Sequence, residues 1–274
     1  MDQINQLGKK FPASSYYEKL GKYSIPLYAR STRGDYSVRG SSFIIKIEED
    51  YYLVTAKHVF DQNRTPGGVF ISSAPGEFYL AKGNQIHTGK KLIIEKNDLA
   101  DISIVHLASE IPKPPYRFIY EGENIANFDA IDKHVSSVNI FPHTDLYYAA
   151  LGYPLSKNKI NHARRYIQHN LYCYRDFSPG SDEYKKLGLD ENKNILIKFD
   201  REQASLTPNQ KILFPDPVGM SGGPIFQLFK NQNNPKDFYF SIAGIVTSQD
   251  PMKKFLQGTA ISRVFNLIHI LRSK

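Results

Sequence analysis

The sequence predicts an all-β fold, and three observations carry that reading. Apolar runs are short and recur between turns rich in Gly, Pro and Asn. Aromatic residues make up 13% of the chain, as 18 Tyr and 17 Phe with no Trp, and such side chains pack well on pleated surfaces. The length of 274 residues suffices to bury a substantial core in one or two units, with no internal repeat or low-complexity tract.

In chain order, residues 40–47 read as a strand, Glu48-Glu49-Asp50 as a polar turn, and residues 51–55 as a returning strand. His58 therefore stands just beyond a strand end. Residues 102–107 form another apolar, β-branched run, opened by Asp101. A carboxylate entering such a strand is partly buried and needs a donor, for which an imidazole N–H is suited. Asp98 competes for this role. Asp101 is preferred because the strand behind it is continuous, whereas an acid at Asp98 would put Asp101 into the apolar stretch. Residues 171–174 alternate like a strand, and residues 182–187 suggest a short helix stopped by Gly188. Near the C-terminus, spacing places Ile261, Val264, Phe265, Ile268 and Leu271 on one face of a helix over 260–272.

The stretch Gly219-Met220-Ser221-Gly222-Gly223-Pro224 sets one hydroxyl among glycines. Gly219 and Gly222 allow backbone angles that a Cβ would forbid, so the chain can turn sharply and aim successive N–H groups into one concavity, an oxyanion hole. A serine hydroxyl is a poor nucleophile unless a general base and an orienting group accompany it. His58 and Asp101 are the candidates.

In the order His58, Asp101, Ser221, these segments resemble the trypsin-like, chymotrypsin-fold serine peptidases. Thr55-Ala56-Lys57-His58 is similar to that family's Thr-Ala-Ala-His block, Asp101-Ile102-Ser103-Ile104 to its Asp-Ile-Ala-Leu block, and residues 219–224 to its Gly-x-Ser-Gly-Gly-Pro block. Flanking likenesses are Gly40-Ser41-Ser42-Phe43, Ala150-Leu151-Gly152-Tyr153-Pro154, and Ala243-Gly244-Ile245-Val246-Thr247-Ser248. The resemblance covers most of residues 26–271 and thins in the middle.

It implies two Greek-key β-barrels with a C-terminal α-helix packed on the second. The expected division is an N-terminal segment over 1–25, a first barrel over 26–108 with His58 and Asp101, a linker over 109–118, and a second barrel over 119–274 with Ser221 and long loops over 155–194. The implied chemistry is peptide hydrolysis by a Ser-His-Asp triad, with the N–H groups of Gly219 and Ser221 as oxyanion donors and Thr247 bonded to Asp101. Pro215, Asp216, Ser248 and Gln249 fall where the family builds its primary substrate pocket. Trypsin proper has an aspartate at the place of Pro215, so a Lys or Arg preference is not secured. Gln249 replaces a glycine and narrows the entrance, which favours small or medium apolar residues at the cleavage position.

Secreted members ion-pair a newly cut, apolar N-terminus with an aspartate just before the nucleophile. Here that position is Met220, and no Ile-Val-Gly-Gly-like segment precedes His58. Maturation by N-terminal insertion is therefore not expected.

The single cysteine, Cys173, excludes an intrachain disulfide, and the first ten residues are polar, unlike a secretory signal. No apolar run approaches the ~20 residues of a membrane span, so a cytoplasmic protein away from membranes is expected. Cys173 itself reads as an inert thiol. The net charge of +8 comes from scattered basic pairs such as Lys9-Lys10, Arg164-Arg165 and Lys185-Lys186 with acids between them, a solvated surface more than a nucleic-acid footprint. His134, His143, His162 and His169 are dispersed and lack metal-ligand spacing, and no phosphate-cradling motif occurs, so no cofactor is expected. Three function classes stand: a serine endopeptidase acting on protein or peptide substrates, a catalytically silent peptide-binding module on the same fold, and a basic nucleic-acid-binding protein. The intact triad favours the first, and the lack of a recognition domain leads to the expectation of an activating or targeting protein partner.

Overall fold

The computed structural model describes residues 20–32, 34–60, 68–74, 77–88, 100–107, 119–120, 147–158, 160–161, 166–167, 170–202, 205–207, 210–211, 213–230, 238–250, 252 and 254–273. Two curled, antiparallel sheets dominate. The first holds β1 (Ile25–Arg30), β2 (Tyr36–Ile47), β3 (Asp50–Thr55), β4 (Val69–Ala74), β5 (Glu77–Leu80), β6 (Gly83–His87) and β7 (Ser103–Leu107) in the order β5-β4-β1-β2-β3-β7-β6, with β8 (Ile119–Tyr120) pairing in parallel to β2. Next come β9 (Tyr147–Gly152), a small hairpin of β10 (Ile160–Asn161) and β11 (Tyr166–Ile167), β12 (Tyr172–Phe177), helix α1 (Ser181–Lys186) and β13 (Asn194–Lys198). A second small hairpin, β14 (Ser205–Thr207) and β15 (Gln210–Lys211), precedes β16 (Pro224–Lys230), β17 (Phe238–Gln249), β18 (Phe255–Ala260) and helix α2 (Ile261–Arg272). The second sheet runs β12-β9-β16-β17-β18-β13.

Alternation along the central strands explains why they are apolar at almost every position. On β2, Ile44 faces the first sheet's own interior with Ile25, Leu27, Leu53 and Val105. Its neighbours Phe43 and Ile45 face a different cluster, shared with Ala149, Leu151, Phe226 and Ile245 of the second sheet. The same split runs through β9, where Tyr148 and Ala150 join the second sheet's interior with Tyr174, Phe199, Phe214 and Val246. Each central strand thus buries both faces, one in its own barrel and one in the layer between barrels. At about 1.5–3 kcal/mol per fully buried large side chain, the shared layer fixes the two sheets against each other and hence the cleft between them.

Helix α2 seals this layer. Val264, Leu267 and Ile268 are buried among Ile45, Tyr52 and Ile104 of the first sheet and Phe226 and Ile242 of the second, so the helix straddles both units and does not rest on the second alone. Arg272 in its last turn also pairs with Glu48, at 2.6 Å, in the β2–β3 turn. Two further boundaries differ from expectation. Ile119–Tyr120 joins the first sheet, and the stretch 155–194 contains β12, a six-residue strand paired along its length with β9. The linker over 109–118 lies outside the described residues.

Candidate active site

β3 and β7 are neighbours in register, with Thr55 opposite Ser103, so the residues just beyond β3 and just before β7 emerge side by side. His58 sits on a 3-10 turn, Lys57–Phe60, and Asp101 precedes β7. The backbone locks them together before the side chains do: Lys57 N–H donates to the Asp101 carbonyl at 3.2 Å. The Asp101 carboxylate then accepts the His58 N–H on Oδ1 at 3.1 Å and the imidazole Nδ1 on Oδ2. A neutral imidazole that donates from Nδ1 carries its lone pair on Nε2, the state a general base needs. Asp98, the competing acid, lies outside the described residues.

Thr88, which sequence reasoning missed, holds the acid from behind. Its hydroxyl donates to the Ala100 carbonyl at 2.6 Å and accepts the Ile102 N–H at 3.0 Å, and its own N–H donates to the Ile102 carbonyl at 3.0 Å. Both neighbours of Asp101 are thereby tied to one residue.

The nucleophile segment is two consecutive turns. Met220 N–H donates to the Pro217 carbonyl at 2.8 Å, and Gly223 N–H to the Met220 carbonyl at 2.9 Å. The third residue of each turn is a glycine with positive φ, Gly219 at 100° and Gly222 at 90°, the signature of type II geometry. Glycines three apart around Ser221 are what two such turns in tandem require. In the second turn the middle peptide is bonded at both ends: Ser41 N–H donates to the Ser221 carbonyl at 2.9 Å, and Gly222 N–H to the Val246 carbonyl at 2.7 Å. In the first, Leu155 N–H holds the Val218 carbonyl at 2.8 Å. Since N–H and C=O of a trans peptide point opposite ways, Gly219 N–H is aimed away from Leu155. Among the described residues, neither the Gly219 nor the Ser221 N–H donates to a backbone carbonyl.

The nucleophile turns pack against the turn that carries His58. A Cβ placed on Gly222 would lie 2.0 Å from the Ser41 carbonyl, 2.1 Å from Thr55 Oγ1 and 3.0 Å from Ala56 N. Met220 is fully buried in the second sheet's interior with Phe214, Ile225 and Val246, an apolar anchor for the loop. The Ser221 hydroxyl donates to the Thr247 carbonyl at 3.4 Å. The Thr247 hydroxyl donates to the Gln257 carbonyl at 3.3 Å, and a bond from it to Asp101 is not among those of the described residues.

Around the expected pocket, Pro215 is buried, and Asp216 uses Oδ1 to accept the Val218 N–H at 3.1 Å. Ser248 is exposed and donates to Gln257 Oε1 at 2.8 Å. Gln249 lies opposite the buried Leu256 in the β17–β18 ladder, and its amide nitrogen is buried without a partner among the described residues. Asp250, only 3% exposed, is occupied by the N–H groups of Met252 and Phe255. Cys173 pairs with Leu151 across β12 and β9, and burial pushes its thiol up to about 11, which leaves little thiolate at neutral pH. No group of ligating side chains able to hold a metal occurs among the described residues. The dispersed histidines 134, 143, 162 and 169 lie outside them. No helix among the described residues is long and apolar enough to cross a membrane.

No protein-family model matches this chain, and no curated protein sequence does. Solved structures do match. GrC aligns with a TM-score of 0.54 at 12% identity, over 97% of this chain and 98% of that one. Neuropsin, a serine protease expressed in the limbic system of mouse brain, aligns with a TM-score of 0.53 at 12% identity, over 95% and 96%. The architecture is the two-barrel, all-β chymotrypsin fold.

Proposed function

We propose that this chain is a serine endopeptidase. The observation that carries the reading is the packing of the Ser221 turns on the His58 turn, with Gly222 seated against Ser41, Thr55 and Ala56. On this reading the Ser221 side chain rotates away from the Thr247 carbonyl so that its hydroxyl can pass its proton to His58 Nε2. Ser221 Oγ attacks the peptide carbonyl while Nε2 takes the proton, and Asp101 stabilises the resulting imidazolium. The carbonyl oxygen, now an anion, is held by the N–H groups of Gly219 and Ser221. Collapse breaks the C–N bond, His58 protonates the leaving amine, and a water activated by His58 hydrolyses the acyl-serine to acid and free enzyme.

Small or medium apolar residues at the cleavage position fit the site. Gln249 and Leu256 face each other across the ladder, and the carboxylates of Asp216 and Asp250 both serve backbone N–H groups. The lone cysteine fits a cytoplasmic setting, with targeting or activation by a separate protein. A second reading, peptide binding without turnover, is favoured by the Ser221 hydroxyl being engaged with Thr247. A fluorophosphonate probe separates the two: wild type labels and Ser221→Ala does not if the peptidase reading holds. A folded wild type that stays unlabelled while binding peptide would establish the second.

A further inference from the structure

We infer that Ser41 is a positioning residue for the oxyanion hole, a role that rests on the peptidase reading. Ser41 lies on β2, in the other sheet and 178 residues from Gly219, yet its fully buried hydroxyl donates to the Gly219 carbonyl at 2.8 Å. The same hydroxyl accepts the Tyr153 N–H at 2.9 Å. Its N–H donates to the Ser221 carbonyl at 2.9 Å, and its carbonyl accepts the Thr55 hydroxyl at 2.7 Å. One residue therefore grips a carbonyl in each of the two tandem turns.

The hydroxyl matters because Gly219 cannot set its own conformation. A glycine at positive φ is one of several accessible states, and only contacts at its two flanking peptides select it. On one side Leu155 N–H holds the Val218 carbonyl; on the other Ser41 Oγ holds the Gly219 carbonyl. Without the second clamp, only the Leu155 bond to the Val218 carbonyl opposes relaxation towards type I geometry, which flips the middle peptide and turns Gly219 N–H out of the hole. The substrate's ground state needs that N–H less than the tetrahedral state does, so the loss falls on the chemical step. Ser41 would thus act across the cleft: the sheet that supplies His58 and Asp101 also fixes the anion site of the opposite sheet.

The test uses the full chain, titrated for active sites with the fluorophosphonate so that rates are per competent enzyme. Ser41→Ala is expected to lower kcat for p-nitrophenyl acetate by about ten- to a hundredfold with KM changed less than about threefold, and to weaken benzeneboronic acid, which forms a tetrahedral adduct on the serine, by a similar factor. Ser42→Ala is the control. That neighbouring hydroxyl is equally buried but donates to the Ile25 carbonyl, and its loss is expected to leave per-site kcat unchanged. If Ser41→Ala does not fold, Ser41→Cys, with a weak S–H donor of similar size, is read in the same assays and is expected to fall several-fold. Per-site kcat and boronate affinity equal to wild type in the folded Ser41 variant, or an equal loss in Ser42→Ala, would overturn the inference. A wild type that neither labels nor turns over the ester sinks the peptidase reading itself, a different result from labelling with an indifferent Ser41.

Discussion

The two halves of the candidate site are held by different means. In the first sheet, His58 and Asp101 stand on short irregular segments fastened by side chains: the carboxylate grips the His58 backbone and ring, and Thr88 grips the residues either side of Asp101. In the second, the turns around Ser221 are fastened chiefly by backbone conformation, two positive-φ glycines and a buried Met220, to which the Ser41 hydroxyl adds a bond on the Gly219 carbonyl. A half built on side chains loses a bond or two when one residue changes. At its two glycines, a half built on backbone angles has no such graded response, because an added Cβ meets main-chain atoms that cannot give way.

The sharpest way to break this contrast is Gly222→Ala. Its Cβ would meet the Ser41 carbonyl at 2.0 Å, at a φ of 90° that L-residues rarely adopt. A loss of about 3–5 kcal/mol, or failure to fold, is expected in urea unfolding. A variant within 1 kcal/mol of wild type by that measurement would show that the turn is far softer than described.

Thr88→Val probes the side-chain half at similar volume. It removes the acceptor of the Ile102 N–H and the donor to the Ala100 carbonyl, so a cost of about 1–3 kcal/mol is expected, with ester hydrolysis falling roughly tenfold as Asp101 drifts. Lost stability with undiminished per-site turnover would mean that Asp101 is held adequately by His58 alone.

The smallest effect is a pH dependence. Burial, reinforced by the Lys57 ammonium, holds His87 below its ordinary value of 6.5. The unfolded chain therefore takes up a proton near 6.5 that the folded chain refuses until lower pH, so stability present above 6.5 declines as the pH falls from there through the folded value. Comparing denaturant midpoints of wild type and His87→Gln at neutral and mildly acidic pH should show a shallower decline in the variant. Parallel curves would mean that His87 titrates alike in both states.

Much of this organisation was legible in the sequence for identifiable reasons. The strands of the first unit announced themselves because they are apolar and β-branched between polar turns. α1 was readable from Gly188, which ends it at a φ of 66°. The tandem turns were readable because positive φ leaves glycine as the practical choice. β12 was mistaken in part for loop since it edges the second sheet, and Tyr174 is its one buried residue. The α2 stripe was drawn too narrow: Leu267 is buried too, as a helix wedged against two sheets buries more than one face requires. Ser41, Thr88 and Leu155 left no local signal, because each acts through a partner distant in sequence and any small or polar strand residue looks alike until that partner is placed. Thr247 differs again: its position suggested a bond to Asp101, and among the described residues its hydroxyl donates to the Gln257 carbonyl on the neighbouring strand.

The seam sealed by α2 also bears on how the protein is made. Val264, Leu267 and Ile268 complete a layer whose other walls begin at Leu20 and Phe43, and Arg272 clips to Glu48, 224 residues earlier. A ribosome delivers Glu48 and Arg272 224 residues apart, at about 5–20 residues per second. For many seconds the nascent first sheet presents Phe43, Ile45, Tyr52 and Ile104 with nothing to cover them. The cleft between the sheets cannot take its final shape until Ile261–Arg272 has emerged, so a half-made chain carries His58, Asp101 and Ser221 without the frame that brings their segments together.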